Sequence, residues 1–241
     1  MNNVVILGDG LLGSEIAKQT KWDIISRKNN MFDITKEHKF APYFINAYDG
    51  VIFTKKYDVI VNCIANTQTY SSNKEDHWNI NYKGVADLVD FCNKWDIKLV
   101  HISTDYVYTN SKFNASENDI PIHGDNWYSY TKLLADAYIE LRSNNYLICR
   151  ETHKPYPFPY EKAWIDQIGN FDYVDIMAKN IINLINTKAT GIFNIGTELK
   201  TMYDLALKTQ KNTTPALKSS YVPSNTSLNT DKLKTWLSKN L

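Results

Sequence analysis

The chain has 241 residues, a formal net charge of +1 and 43% hydrophobic residues, enough for one large domain or a domain with a small lobe. The balanced charge gives no broad pull toward nucleic acid or a membrane surface. No apolar run approaches a membrane span, and the N-terminus enters a strand within a few residues instead of opening as a signal peptide. A soluble, cytoplasmic protein acting on a small molecule is therefore expected. Its three cysteines, Cys63, Cys92 and Cys149, have no CxxC or Cys/His ligand spacing, and read as reduced core residues with no metal site.

Asn3–Leu7 is an apolar strand that runs into Gly8-Asp9-Gly10-Leu11-Leu12-Gly13 and then a helical pattern. Strand, glycine turn and helix in this order are the requirement for holding a dinucleotide pyrophosphate. The first glycine allows the tight turn, the second close backbone approach, and the third close helix packing. Asp23–Ser26 reads as the second strand. At its end, where an acid would hold the ribose of NAD, the chain has Ser26-Arg27-Lys28. A hydroxyl and two cations suit a 2′-phosphate, so NADP(H) is expected over NAD(H). Next to Ile34, Asp33 has two uses open to it: accepting from the adenine amine, or capping the helix that follows.

After a second helix, Asp58–Ala65 is nearly continuous β-branched and apolar sequence, the pattern of a strand covered on both faces in a parallel sheet. Asn62, Ala65, Asn66 and Thr67 close this strand, and with Cys63 leave room for a cofactor to cross its end. The helix around Asn81–Trp95 has a core-facing stripe at Val85, Leu88, Val89 and Cys92. Asn81, its polar exception, either fixes backbone beneath the site or is an exposed helical Asn.

Lys98–Ser103 is the fourth strand, and His101 within it reads as a satisfied core histidine. The strand delivers Ser103 and Thr104 at its end, and the next helix sets Tyr128 and Lys132 one turn apart on one face. Tyr146–Arg150 is the fifth strand. Thr152–Trp164 carries three prolines and reads as a loop forming one wall of a substrate pocket. A helix over Tyr173–Ile185, a strand over Gly191–Ile195, a threonine-capped helix over Thr201–Thr209 and a last helix over Thr230–Lys239 complete the chain. The fold class is α/β, a doubly wound parallel (Rossmann) sheet with a small C-terminal substrate lobe. Residues 1–150 would bind NADP and carry the catalytic residues, and residues 151–241 would form a reduced substrate lobe.

The motifs GDGLLG, VNCIANT at 61–67, STDYVY at 103–108, YSYTK at 128–132, FNIG at 193–196 and SLNTDKL at 227–233 resemble the extended short-chain dehydrogenase/reductases. Among them the match is to the dTDP-4-dehydrorhamnose reductase family, and it runs over most of the chain. The resemblance implies NADPH-dependent reduction of a nucleotide-linked 4-keto-6-deoxy sugar for deoxysugar and surface-glycan synthesis. It implies Tyr128 as the general acid at the C4 oxygen, and Thr104 as a hydrogen-bond partner of that oxygen. Lys132 would hold the nicotinamide ribose and lower the phenol pKa by its charge. The related dehydratases carry Asp-Glu after this threonine, whereas Asp105 is here followed by Tyr106, which points to a reductase.

The chain departs from the family at Arg150-Glu151-Thr152-His153, where Arg-Thr-Ser-Trp is usual, and the following insert is much shorter. Glu151 and His153 are thus candidate substrate contacts. Two other readings stay open: a non-catalytic NADP-binding regulatory subunit, and an epimerase/reductase using His153 or Cys63 as an added acid or base. A homodimer is expected by analogy alone.

Overall fold

The computed structural model describes residues 3–48 and 52–241. The fully buried β1 (Val4–Leu7) leads into α1 (Leu11–Thr20), β2 (Asp23–Ile25), the single turn α2 (Arg27–Asn30) and α3 (Ala41–Phe44). An antiparallel hairpin of β3 (Ile45–Tyr48) and β4 (Ile52–Lys55) follows, its tip outside the described residues, and then β5 (Val59–Asn62). The one helix expected between the second and third core strands is instead three short turns, at Arg27–Asn30, Glu37–Lys39 and Ala41–Phe44, and a hairpin. Met31 closes α2 with a left-handed φ of 59°, and Pro42 sits in the first turn of α3, where it can start a helix but not continue one. Phe32, Phe40 and Phe44 are buried, with Phe32–Phe40 ring centroids at 5.4 Å, and Phe40 and Phe44 meet Phe91 at 5.9 and 5.5 Å. Burial of those rings, not helical periodicity, decides the backbone here.

The chain continues through α4 (Lys74–His77), a π-helical turn at Trp78–Lys83, α5 (Gly84–Trp95), β6 (Lys98–Thr104), α6 (Trp127–Arg142) and β7 (Tyr146–Glu151). Short strands β8 (His153–Lys154), β9 (Lys162–Trp164), β10 (Ile168–Gly169) and β11 (Asp172–Tyr173) lead to α7 (Val174–Asn186). The remainder is β12 (Gly191–Asn194), β13 (Lys200–Thr201), α8 (Met202–Leu207), β14 (Thr214–Ala216), β15 (Asn225–Thr226) and α9 (Asp231–Asn240).

Six strands form the central sheet in the order β12-β7-β6-β5-β1-β2, and β1 pairs parallel with β2 and β5, as β5 does with β6. These are the six strands read from the sequence, so the doubly wound α/β fold holds. The chain steps from β1 out to β2 and returns to β5 on the other edge of β1. Ligands of such sheets lie outside the carboxyl ends at that reversal. There the Gly8 N–H donates to the Ile25 carbonyl at 2.8 Å and the Cys63 N–H to that of Leu7 at 2.9 Å, which aligns the three strand ends.

The chain forms two compact units, Met1–Ile102 with Asn126–Ile148, and Ser103–Asp125 with Cys149–Leu241. The second unit thus takes in the segment after β6 as well as the C-terminal part. Its core gathers Phe158, Ala163, Phe171, Tyr173, Met202, Leu205 and Ala206. Phe158 anchors the proline-rich loop that the sequence marks, while Tyr156 and Tyr160 beside it are exposed. Thr201 begins α8 with a full capping box, its hydroxyl accepting from the Asp204 N–H while the Asp204 carboxylate accepts from the Thr201 N–H. The three cysteines form no disulfide among the described residues, with Cys92 and Cys149 buried and Cys63 half-buried. No helix among the described residues is long and apolar enough to cross a membrane.

Candidate active site

In the first unit, the glycine turn is shaped for close backbone approach. Gly8 leaves β1 at a φ of +97°, where a side chain would be strained. A Cβ on Gly13 would lie 2.0 Å from the Gly8 carbonyl oxygen, so only glycine lets α1 lie against the turn. A Cβ on Gly10 would meet nothing within 4 Å, so the second glycine borders open space. Gly10 caps α1 without a side-chain bond, and no acid lies in the first turn. The N–H groups of Leu11, Leu12 and Gly13 therefore sit at the positive end of the helix without a carboxylate competing in that turn. The donor set and the missing Cβ fit a dinucleotide pyrophosphate. Leu12 is buried against the core and Leu11 is exposed.

At the end of β2 the motif divides into a buried framework residue and two exposed cations. Ser26 is buried, its hydroxyl donating to Asp9 at 3.0 Å and accepting from the Asn29 N–H at 3.1 Å. It caps α2 and fastens the glycine turn to β2. Arg27 and Lys28 are exposed, and Arg27 reaches Asp33 at 3.1 Å. Asp33 also accepts from the Thr35 N–H at 3.0 Å and hydroxyl at 2.8 Å, which closes a local turn and caps no helix, because the next helical turn begins at Glu37 with Lys36 as its N-cap. Ile34 is buried, with its carbonyl oxygen 2.9 Å from where a Gly84 Cβ would stand. Sequence reading passed over Asp9, which places a carboxylate beside the end of β2 from the glycine turn instead of from the strand.

Asn62 on β5 and His101 on β6 are register partners, and both are fully buried. The Asn62 Oδ1 accepts from the Ile64 N–H at 3.1 Å, and its Nδ2 faces His101 Nδ1 at 3.3 Å. On the far side of the ring, His101 Nε2 lies 2.9 Å from Lys132 Nζ, which donates to the Ile102 carbonyl at 2.6 Å. Lys132 is 1% exposed. Tyr128, one turn earlier on α6, is half-buried, and the His77 ring meets it edge-on at 6.4 Å. Burial, reinforced by Lys132, holds the His101 pKa well below its ordinary value and so keeps the ring neutral. His101 is the core histidine expected, and its contact with the lysine is what sequence order hides.

Asn81 lies in the π-helical turn and is fully buried. Its Oδ1 accepts from the Asn66 N–H at 2.7 Å and its Nδ2 donates to the Asn66 carbonyl at 3.1 Å, with the Thr131 hydroxyl at 3.4 Å. One side chain thus fixes the loop after β5, where Ala65 is half-buried and Thr67 exposed, and also touches α6 between Tyr128 and Lys132. Of the two readings of Asn81, the buried, backbone-fixing one is what the structure places here.

The second unit assembles the remaining candidates. Ser103, Thr104 and Asp105 are buried at the end of β6 and just beyond. The Thr104 hydroxyl accepts from the Tyr106 N–H at 3.2 Å and donates to Asp105 at 3.2 Å. Tyr106 is half-buried. Burial raises the Asp105 carboxyl to about 6, opposed by hydroxyl bonds from Thr152 and Thr226 and aided by the Glu151 charge. The buried Glu151 carboxylate lies 2.9 Å from His153 Nδ1. Burial works against the His153 charge, but Glu151 outweighs it and raises the imidazole pKa. Arg150 is buried and donates to the Tyr108 hydroxyl, with its guanidinium 4.9 Å from that ring. In the first unit, Trp127 packs edge-on against Tyr130 at 5.6 Å.

Residues 1–153 match the family model described as RmlD substrate binding domain. A dTDP-4-dehydrorhamnose reductase of Mycolicibacterium smegmatis is 28% identical over 189 residues, 73% of this chain and 50% of the relative. The spore coat polysaccharide biosynthesis protein SpsK of Bacillus subtilis is 25% identical over 74% of this chain and 59% of the relative. The chain thus spans about half the length of the curated relatives it matches. Among solved structures, the dTDP-4-dehydrorhamnose reductase of Bacillus anthracis in complex with NADP has a TM-score of 0.79 at 19% identity, covering 99% of this chain and 98% of that one. A hypothetical dTDP-4-dehydrorhamnose reductase of Sulfolobus tokodaii gives 0.77 at 22% identity, covering 97% and 94%. At these identities the structural likeness establishes the fold.

Proposed function

The chain belongs to the RmlD substrate binding domain family, and from that premise we propose that it uses NADPH to reduce the C4 carbonyl of a nucleotide-linked 4-keto-6-deoxy sugar. The observation that carries this reading is on α6. Tyr128 keeps access to solvent, while one helical turn away Lys132 is 1% exposed and held by an imidazole and a carbonyl. A chance YxxxK on a surface helix would leave both side chains solvated. The activity named for the Mycolicibacterium relative and the NADP in the Bacillus anthracis structure support the same reading.

When bound, the nicotinamide supplies hydride to C4. Tyr128 gives its hydroxyl proton to the C4 oxygen, Thr104 hydrogen-bonds that oxygen, and Lys132 holds the nicotinamide ribose. Gly8, Gly10, Leu11, Leu12 and Gly13 hold the pyrophosphate, and Asn81 sets the Ala65–Thr67 backbone along which the cofactor crosses. Arg27 and Lys28 take the 2′-phosphate and favour NADP(H), with Asp33 and Ile34 nearest the adenine. Asp105, Tyr106, Glu151 and His153 contact the sugar nucleotide. On this reading the cofactor belongs to the part before residue 150 and the substrate to the part after it, in a cytoplasmic homodimer without nucleic-acid or membrane partners.

The test is NADPH oxidation by the purified chain with dTDP-, UDP- and GDP-linked 4-keto-6-deoxy sugars, with fluorescence titration of NADPH and NADH. Oxidation with one of them that disappears in Tyr128→Phe supports the proposal. A second reading, a cofactor-binding regulatory subunit, is favoured by the Glu151–His153 pair standing where the family has threonine and tryptophan. Tight NADPH binding with no oxidation of any of the sugars selects it.

A further inference from the structure

The glycine turn carries a carboxylate that the reductase reading leaves without a task. Asp9 is exposed, and the Gly8 N–H, donating to the Ile25 carbonyl at 2.8 Å, holds the turn against the end of β2. Asp9 Oδ2 accepts from the Ser26 hydroxyl at 3.0 Å. Its Oδ1 makes no hydrogen bond, and the carboxylate no ion pair, among the described residues.

The same contacts occupy most of what would recognise a 2′-phosphate. The Ser26 hydroxyl proton goes to Asp9 and the Ser26 N–H to Asn30 Oδ1 at 3.1 Å, so the serine has no donor left for an anion. Arg27 is held by Asp33 at 3.1 Å. Of these three residues Lys28 alone has no hydrogen bond or ion pair among the described residues. The two cations are thus matched by the carboxylates of Asp9 and Asp33, which leaves little net pull on a phosphate.

In doubly wound sheets the adenosine ribose lies at this strand end, and an acid placed there accepts from its 2′-hydroxyl. We propose that Asp9 is a specificity-determining residue: its carboxylate accepts from the ribose 2′-hydroxyl of NAD(H) and opposes a 2′-phosphate, so that the chain binds NADH as well as NADPH. This deepens the reductase reading, rests on its cofactor site, and limits the preference that Arg27 and Lys28 give that site. The carboxylate is already fixed by a buried serine, so its second oxygen meets a hydroxyl with little loss of freedom.

The other role open to Asp9 is that of a strut alone, fastening the turn to β2 through Ser26. The two roles separate in Asp9→Asn, where the amide oxygen still accepts from the Ser26 hydroxyl while the charge is lost. Loss of a strut weakens both cofactors alike, whereas loss of the charge moves them in opposite directions.

The experiment is calorimetric titration of the full chain, unmodified and Asp9→Asn, with NADPH and NADH at one moderate salt concentration. The unmodified chain should bind the two within about tenfold of one another, and discrimination beyond about a hundredfold overturns the proposal. In Asp9→Asn, NADH should bind a few-fold more weakly and NADPH a few-fold more tightly, moving the ratio about tenfold toward NADPH. An unchanged ratio with both cofactors bound rejects Asp9 and leaves the reductase reading standing. Binding of neither dinucleotide removes the cofactor site and the proposal together. Should the variant not fold, the unmodified chain decides: NADH should bind about tenfold more tightly than its analogue lacking the adenosine 2′-hydroxyl, and equal affinity rejects the role of Asp9. No arm depends on turnover, so failure of the reductase reading is seen separately, as absence of NADPH oxidation.

Discussion

The surroundings of Lys132 and the segment Asp105 with Glu151–Lys154 are both buried and polar, yet they are built on opposite plans. Lys132 lies against a carbonyl and a neutral imidazole that is itself held by an amide. Around Asp105 are a second carboxylate, a histidine raised by it and Lys154, whose own pKa burial lowers against the pull of both acids. In the first arrangement burial keeps the His101 ring neutral. The second responds to pH, because burial and close charges hold its groups near the range in which they change state.

The largest expected effect tests the first plan. Tyr128→Phe removes the proton donor and should lower kcat by about 10²–10⁴-fold while leaving NADPH affinity, measured by fluorescence, nearly unchanged. Equal activity in that variant would break the contrast by removing the catalytic role from α6.

The second plan makes a stability prediction. The Asp105 carboxyl rises from 3.8 to about 6 in the folded chain, so between those values the native state holds a proton that the unfolded chain has released. Stability from this group is complete below pH 3.8 and is lost as pH rises toward 6, by about 3 kcal/mol. Urea unfolding across that range should show the loss in the unmodified chain and a flatter profile in Asp105→Asn. His153, raised by Glu151, adds loss of the same sign as pH rises through its own titration. An unchanged slope in Asp105→Asn would show that the second cluster is not the pH-sensitive one.

Two smaller changes sharpen the cofactor side. A Cβ on Gly10 meets nothing within 4 Å, so Gly10→Ala should alter stability by no more than about 0.5 kcal/mol. It should still weaken NADPH binding about tenfold, because the methyl group occupies the space for the pyrophosphate. Arg27→Ala with Lys28→Ala should lower NADPH affinity by a few-fold to about tenfold, leave NADH affinity nearly unchanged, and lose its effect at high salt. Equal losses for both cofactors would show that these cations do not read the 2′-phosphate.

The sequence makes the sheet legible because each core strand is a short apolar run ending in small or polar residues. It also makes the α6 pair legible, because helix spacing fixes which residues share a face. The hairpin between α3 and β5 is not legible, since burial of Phe32, Phe40 and Phe44 overrides the helical pattern that precedes it. The roles of Ser26 and His101 are hidden for another reason. Ser26 meets Asp9, 17 positions earlier, and His101 meets Lys132, 31 positions later. An apolar strand pattern reports that a residue is buried, but not which partner from another element arrives beside it. Asn81 lies between these cases. Its position at the start of a helical stripe is visible, but the π-helical turn that points it at Asn66 is not.

Hydride transfer to the sugar, with Tyr128 giving the proton, is the proposed reaction. The most direct measurement is mass spectrometry of the sugar nucleotide after incubation with NADPH deuterated on the nicotinamide ring at the transferred position. One deuterium at C4 of the product is expected from the unmodified chain and none from Tyr128→Phe. Tight NADPH binding without deuterium in any dTDP-, UDP- or GDP-linked 4-keto-6-deoxy sugar would contradict it.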